Sequence, residues 1–415
     1  MTARQHDRRA VITGLGVVAP NGVGADAFWK ATREGVSVLD RISRPGCGHL
    51  PLKVAGEVRG FDAEESIDGR YRVQTDRFTH YAMAAADLAV ADAGFTPDPD
   101  APFAVGVVTA AGSGGGEFGQ GELQQLWGKG PKFVGPYQSI AWFYAASTGQ
   151  ISIRGGYKGP CGVVASDEAG GLDALAHAAR SIRRGAEAVV VGAAEAPLAP
   201  YSMVCQLGYP ELSLSHDPAS AYLPFSARAG GFVPAEGGAM LLVEAEEAAL
   251  RRGARVRAVL AGHGATFTGA SRWEESREGL VRAIRTALDE ARCAPEEIDV
   301  VFADALGVPA ADRAEALALA QALGPYAERV PVTAPKAGIG RAYCGAPPLD
   351  VATAVLAMEY GVLPPTPSVT EVAHDLALVT GRPRPAELRT ALVLSRGLMG
   401  SNAALVLRRG SGDPA

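Results

Sequence analysis

The chain has 415 residues, with 39 Lys+Arg against 45 Asp+Glu and a formal net charge of −6. Its 47% hydrophobic and 20% charged residues are those of a globular protein and exclude disorder over most of the length. Mild acidity argues against nucleic acid as a partner, because a phosphate backbone demands a net basic face, and no uncharged apolar run of about 18 residues exists to span a membrane. The length implies two domain-sized units or one large duplicated fold. The polar stretch Met1–Arg9 lacks the apolar run of a signal peptide. The five cysteines, Cys47, Cys161, Cys205, Cys293 and Cys344, are scattered and form no CxxC pair. No metal site or disulfide framework is therefore expected, and reduced thiols in the cytoplasm are.

The β-branched stretch Arg9–Val18 predicts a buried strand. Helical spacing follows at Ala25–Glu34 and Thr79–Ala93. The apolar run Phe103–Thr109 leads into a glycine cluster, Gly112, Gly114, Gly115 and Gly116. A strand at Gly162–Ala165 meets a turn and then a helix, Gly170–Arg184. That helix is mostly apolar, as expected of one buried between two sheets. Ala188–Gly192 reads as a strand and Glu244–Arg252 as a charged helix. A break is expected near Gly253–Arg257, with Arg251, Arg252, Arg255 and Arg257 on a solvated surface. Leu280, Ile284 and Leu288 share one face of a surface helix. Strands at Val300–Ala303 and Val330–Thr333, a helix at Leu349–Tyr360 and a hairpin of Ala391–Ser395 with Ala403–Leu407 complete the chain. Leu172-Asp173 opens a helix that ends at Gly185, and Leu349-Asp350 opens another that ends at Gly361. A rhythm repeated at half-chain spacing implies duplication, with halves expected at 1–253 and 254–415. The architecture implied is layered α/β with a helix layer in the middle.

Few motifs carry chemistry by themselves. Gly14-Leu15-Gly16-Val17-Val18-Ala19 matches GxGxxA, but Pro20-Asn21-Gly22 interrupts before any helix can present its N-terminus to a pyrophosphate. The cluster at 112–116 lacks the GK[ST] of a phosphate loop, and neither GxSxG nor HExxH occurs. His177, inside an apolar helix, reads as a packed core residue. The informative segment is GVVASDEAGGLD at 162–173. It places Glu168 on a sharp strand-to-helix turn, where a helix N-terminus favours an anion or a nucleophile.

This is where a family resemblance enters. The chain resembles the β-ketoacyl synthases of the thiolase fold. More narrowly, it is similar to the chain length factors, the ketosynthase β subunits of bacterial type II aromatic polyketide synthases. The resemblance runs through VITGLGVVAPNG at 11–22, LWGKGPKFVGPYQSIAWFYAASTGQISIRGG at 126–156, AGGLDALA at 169–176, YLPFSARAGGFVPAEGGAMLLVE at 222–244, VPVTAPK at 330–336 and RGLMGSNAALVLRR at 396–409. It implies an α/β fold, the thiolase-like duplicated five-layer α-β-α-β-α sandwich.

The departures from an active synthase bear on function. The resemblance places the nucleophilic cysteine at Glu168, and a carboxylate cannot carry a thioester. The two catalytic histidines fall at Leu306 and Arg341. Only the catalytic lysine has a counterpart, Lys336, whose bland reading is a structural ammonium paired with a carboxylate such as Glu236. Cys161 and Cys205 miss the turn and read as packed thiols. Condensation by this chain is not expected. The alternative is decarboxylation of malonyl-loaded carrier protein at Glu168, whose burial would favour the neutral form and whose helix end the ionised one.

The resemblance further implies a heterodimer with an active ketosynthase α subunit. That partner takes its substrate from the phosphopantetheine arm of an acyl carrier protein, and this chain has no cofactor of its own. A tunnel along the shared interface would be gated here by Gly116, Gly119 and Leu123, at helical spacing, with Phe133 or Tyr201 as a deeper floor. A glycine in place of a Phe-sized plug frees on the order of 100 Å³, which implies a product of about 24 carbons or more. Tyr137, Gln138, Trp142 and Phe143 are the expected interface residues, rich in aromatics as a large obligate contact requires.

Overall fold

The computed structural model describes residues 8–269 and 272–411. In chain order its main strands are β1 (Ala10–Ala19), β2 (Val105–Ala110), β3 (Cys161–Val164), β4 (Ala188–Glu195), β5 (Gly237–Ala245), β6 (Ala258–Phe267), β7 (Val300–Phe302), β8 (Pro331–Thr333), β9 (Thr390–Arg396) and β10 (Ser401–Arg409). The helices used below are α1 (Ala25–Arg33), α2 (Arg77–Asp92), α3 (Gly116–Lys129), α4 (Ala146–Gly155), α5 (Gly170–Arg183), α6 (Pro200–Gln206), α7 (Trp273–Ala291), α8 (Pro309–Leu323) and α9 (Ala346–Tyr360).

The strand order makes the duplication visible. Reading toward the seam, the main strands of the first half run β3-β2-β4-β5-β1 and those of the second β8-β7-β9-β10-β6, with the short strand Ala377–Leu378 added outside β8. If each half is numbered from its own first strand, both read 3-2-4-5-1. The directions match as well. The three main strands farthest from the seam are parallel and the two at the seam antiparallel, in both halves. The halves join where β1 pairs with β6, Val11 opposite Val259 and Ile12 opposite Ala258.

Five layers follow from which faces are apolar. Helices α5 and α9 lie between the sheets and are buried nearly all round. Their alanines and leucines pack with Val189, Val191, Leu241, Val393 and Leu405 into the central core. Outside the first sheet, α2 buries Phe78, Tyr81 and Ala85 against β1, β4 and β5. Outside the second, α7 buries Leu280, Ile284 and Leu288 on one face against β6 and β10, as its spacing predicted. The glycines of the GxGxxA match serve this packing. A Cβ on Gly14 would lie 2.0 Å from the Ala89 carbonyl oxygen of α2, and one on Gly16 would lie 1.8 Å from that of Ala85. They let a helix lie flush on the strand, and no dinucleotide loop forms.

Three local expectations need correction. Glu244 lies within strand β5, and the helix that follows spans only Glu246–Arg251. The strand wins because Val243 and Leu242 alternate into two apolar faces. The four arginines are not simply solvated: Arg257 is buried on Glu359 at 2.8 Å and also pairs with Asp92, while Arg252 holds Glu244 at 2.6 Å. His177 is only half-buried, beside Gly162 at the edge of α5, so it is not a core residue. Among the described residues no helix is long and apolar enough to cross a membrane, and no cluster of His, Cys, Asp or Glu could hold a metal ion.

Candidate functional site

Strand β3 ends at Val164 and α5 starts at Gly170. The turn between them is tight enough to force Asp167 to a φ of 57°. The two carboxylates of this turn clamp the loop 397–400. Leu398 N–H donates to Glu168 Oε2 at 2.7 Å, and Met399 N–H donates to Asp167 Oδ2 at 2.7 Å. Gly397 is required here, since a Cβ would sit 2.0 Å from Asp167 Oδ2.

Glu168 is buried, and burial pushes its carboxyl well above the usual range, against the pull of the Arg341 guanidinium and the Leu398 amide. Arg341 Nε stands 4.0 Å from Glu168 Oε1, and its Nη2 reaches Asp304 Oδ1 at 3.0 Å. The network continues inward. Arg396 holds Glu315 at 3.0 Å and Asp304 at 3.3 Å, and Glu315 accepts the amides of Asp304 and Ala305 at 2.7 and 2.9 Å. Burial raises Asp304, but the guanidiniums of Arg341 and Arg396 outweigh it and hold that carboxylate below its ordinary value. Two guanidiniums thus face three carboxyl groups in a buried interior, and the Cys344 thiol lies beside them, donating to the Asp167 carbonyl at 3.0 Å.

The sequence-predicted degenerate positions come together here. Leu306 is fully buried in an apolar cluster with Tyr222 and Phe232. Lys336 is buried and pairs with Asp350 at 2.5 Å. The expected partner, Glu236, instead holds Arg44 and accepts the amide of Val58 at 2.9 Å. Asp350 wins because α9 starts beside the Pro335–Gly338 turn, a proximity that no local pattern encodes.

A cavity of about 720 Å³ opens from this turn toward the first-half insertion. Glu168, Gly116, Trp142 and Tyr201 share its wall with Ser202 and Cys205. Gly119, Leu123, Phe133, Tyr137, Gln138 and Phe143 are not part of that wall. Gly119 packs under Trp142, whose Cδ1 lies 3.2 Å from where a Cβ would be. Leu123, Phe133, Tyr137 and Phe143 are exposed, with Trp127, Ile140 and Tyr144 near them, on a broad apolar face. The space beside Gly116 is not empty, because a Cβ there would meet Ser202 Oγ at 2.2 Å. The glycine lets α6 close in and does not leave a Phe-sized void.

Both surface thiols run against expectation. Cys161 is exposed at the start of β3, and Cys205 is exposed in the cavity wall. The sequence reading also missed Glu195, at the end of β4. It accepts from Gly112 N–H and Ser113 Oγ–H, both at 2.6 Å, and so seats the glycine cluster. A buried carboxylate directly before a turn was its one signal.

Residues 7–249 match the model for the beta-ketoacyl synthase N-terminal domain, and residues 257–370 match that for the C-terminal domain. The chain belongs to the β-ketoacyl synthase family. A Streptomyces halstedii synthase, named as a polyketide beta-ketoacyl synthase 2, is 72% identical over 97% of this chain and 98% of its own. The solved ishigamide ketosynthase/chain length factor superposes with a TM-score of 0.85 at 27% identity, over 98% of this chain and 100% of that one. A solved type II ketosynthase in complex with its acyl carrier protein, bound to the hexaketide, superposes with a TM-score of 0.85 at 26% identity, over 97% and 99%. Within the β-ketoacyl synthase family this chain stands with the ketosynthase β subunits, the chain length factors.

Proposed function

We propose that this subunit measures a polyketide that another chain makes. The observation that carries the reading is the turn itself. Where a synthase needs a thiol, a buried Glu168 is locked by the Leu398 amide and faced by Arg341, and the other histidine position is Leu306. Neither Glu168 nor Arg341 can form a thioester, and the Cys344 thiol beside the turn is buried, donates to the Asp167 carbonyl and is held protonated by burial. The partner is an active ketosynthase α subunit, which supplies the cysteine and both imidazoles. The carrier protein's phosphopantetheine delivers its units at that partner's site.

Two features support the pairing. Strand β3 bonds only to β2 and leaves its other edge open. The insertion at 111–145 presents an apolar face of exposed Trp127, Tyr137, Trp142, Phe143 and Tyr144, a composition typical of the buried centre of an interface. The chain divides into halves 1–253 and 254–415, and the first carries this face.

The cavity supports a long product. At roughly 30 Å³ per heavy atom of liquid-like packing, its volume takes about two dozen heavy atoms, about 16 of them carbon in a chain with one oxygen per two carbons, and the rest of a longer chain lies on the partner's side. The product proposed is about 24 carbons or more. Tyr201, Ser202 and Trp142 set the limit, with Gly116 as the point of approach. Decarboxylation at Glu168 has weaker support, because the amide that would polarise a carbonyl already serves Glu168 itself. The test is to reconstitute the subunit with an active ketosynthase and carrier protein and measure product length. Products of 16 carbons would contradict the long-chain reading, and release of carbon dioxide from malonyl-carrier by the lone subunit would contradict the noncatalytic one.

A further inference from the structure

Helix α3 carries the point where the cavity meets the insertion, yet its sequence is poor for a helix. Gly116, Gly119, Gly121 and Gly128 stand within its 14 residues, and each glycine weakens a helix through backbone entropy. Its exposed apolar residues leave little packing on the chain itself, since Gly119 is its one buried residue. Something else must hold it in register.

The anchors lie outside the cavity. Asp76 caps two helices at once: its Oδ1 accepts Phe78 N–H of α2 at 3.2 Å, and its Oδ2 accepts Phe118 N–H of α3 at 2.7 Å. The next residue, Arg77, grips Glu117 of α3 with two bonds, 2.7 and 2.9 Å. One turn on, Gln120 Oε1 accepts Tyr201 N–H at 2.8 Å and so ties α3 to α6. Glu122 accepts Gly135 N–H and closes the far end of the insertion. None of Asp76, Arg77, Glu117 and Gln120 touches the cavity, while Gly116 and Tyr201, which they place, both wall it. Helix α2 is firm ground for such a latch, because it buries nine residues against the first sheet.

We propose that Asp76, the Arg77–Glu117 pair and Gln120 are positioning residues for product length. They fix α3 against α6 and thereby set how close Gly116, Ser202 and Tyr201 stand. The inference rests on the chain-measuring role above. With the latch released, α3 and α6 can part, and the cavity accepts chains of more than one length.

The test uses the reconstituted complex with an active ketosynthase and acyl carrier protein. Glu117→Ala and Gln120→Ala lie on the surface side and should leave heterodimer formation and total malonyl consumption unchanged. Each should raise the ratio of off-length to main product by about twofold or more, the scale of a coupling between neighbouring side chains. The charge swap Arg77→Glu with Glu117→Arg should restore the single main product, which a loss of folding alone would not. Unchanged product ratios in both single variants would overturn the proposal, as would loss of the complex with no change in length. Tyr201→Ala separates the two levels. If it shifts product length while the latch variants do not, only the latch is wrong. If it shifts nothing, the measuring role itself falls, and the latch with it.

Discussion

The two halves of the molecule share a strand order and differ in several connections, one of which shapes the candidate site. Between β7 and α8 the second half needs only residues 303–308, whereas the first spends residues 111–145 between β2 and α4. The short connection is buried and runs into the network of Asp304, Glu315 and Arg396, each of which is ion-paired or hydrogen-bonded to another. The long one puts α3 and an exposed aromatic face on the same scaffold. The lesson is a division of labour. The second half spends its polar groups on internal rigidity, and the first leaves its apolar groups for something outside the chain.

That contrast can be broken by substitution. The largest effect is expected at Arg396, fully buried on Asp304 and Glu315. Arg396→Met leaves Glu315 without a guanidinium and Asp304 with Arg341 alone, and should cost about 3–5 kcal/mol in denaturant unfolding. A loss below about 1 kcal/mol would mean that the network is solvated. Trp142→Ala in the insertion is the counterpart. The side chain is 55% exposed, so the lone subunit should lose under about 1 kcal/mol while association with the ketosynthase weakens. Comparable losses of stability in both variants would erase the distinction between the halves.

Gly16→Ala probes the scaffold that both halves share. Its Cβ has backbone 1.8 Å away, and the strain should cost roughly 1–3 kcal/mol. A neutral outcome would show that α2 can slide off β1.

The buried acids of the second half predict a pH dependence. Burial lifts Asp312 to about 7 and Asp350 to about 6. A carboxyl whose folded value lies above its unfolded one contributes stability that is complete below the unfolded value. That stability is lost as pH rises through the folded value. For Asp312 the window runs from about pH 4 to about pH 7, at up to about 1.4 kcal/mol per pH unit. Asp312→Asn should flatten that slope in Tm measured between pH 5 and 8, and an unchanged slope would remove Asp312 from the account.

The smallest effect concerns Cys205. Alkylating the isolated subunit before pairing should shorten products by partly filling the cavity, without stopping extension. Loss of all extension would point to a thiol that takes part in the chemistry.

Much of this was legible in the chain. β-branched runs and glycine stops marked most strands and helices, and the paired Leu-Asp signatures at 172 and 349 announced the duplication. Glu168 could be placed on its turn because a strand, a sharp break and a helix follow within a dozen residues. What stayed hidden depends on contacts between distant segments. Asp350 as the partner of Lys336, Ser202 against Gly116 and the burial of Arg257 all arise from packing of elements far apart in sequence. Glycines illustrate the limit. At Gly116 the missing side chain read as free volume, while the fold uses it for close approach of α6.

The central claim is that the reactive groups belong to another chain while this one walls the cavity. The direct test is one reconstitution with radiolabelled malonyl-carrier, run with the subunit alone, with an active ketosynthase, and with Tyr201→Ala in the same pair. The account predicts no covalent label and no product from the lone subunit, a single main length from the pair, and a shifted length from the variant pair. A labelled lone subunit that extends its own chain, or a product length indifferent to Tyr201, would contradict it.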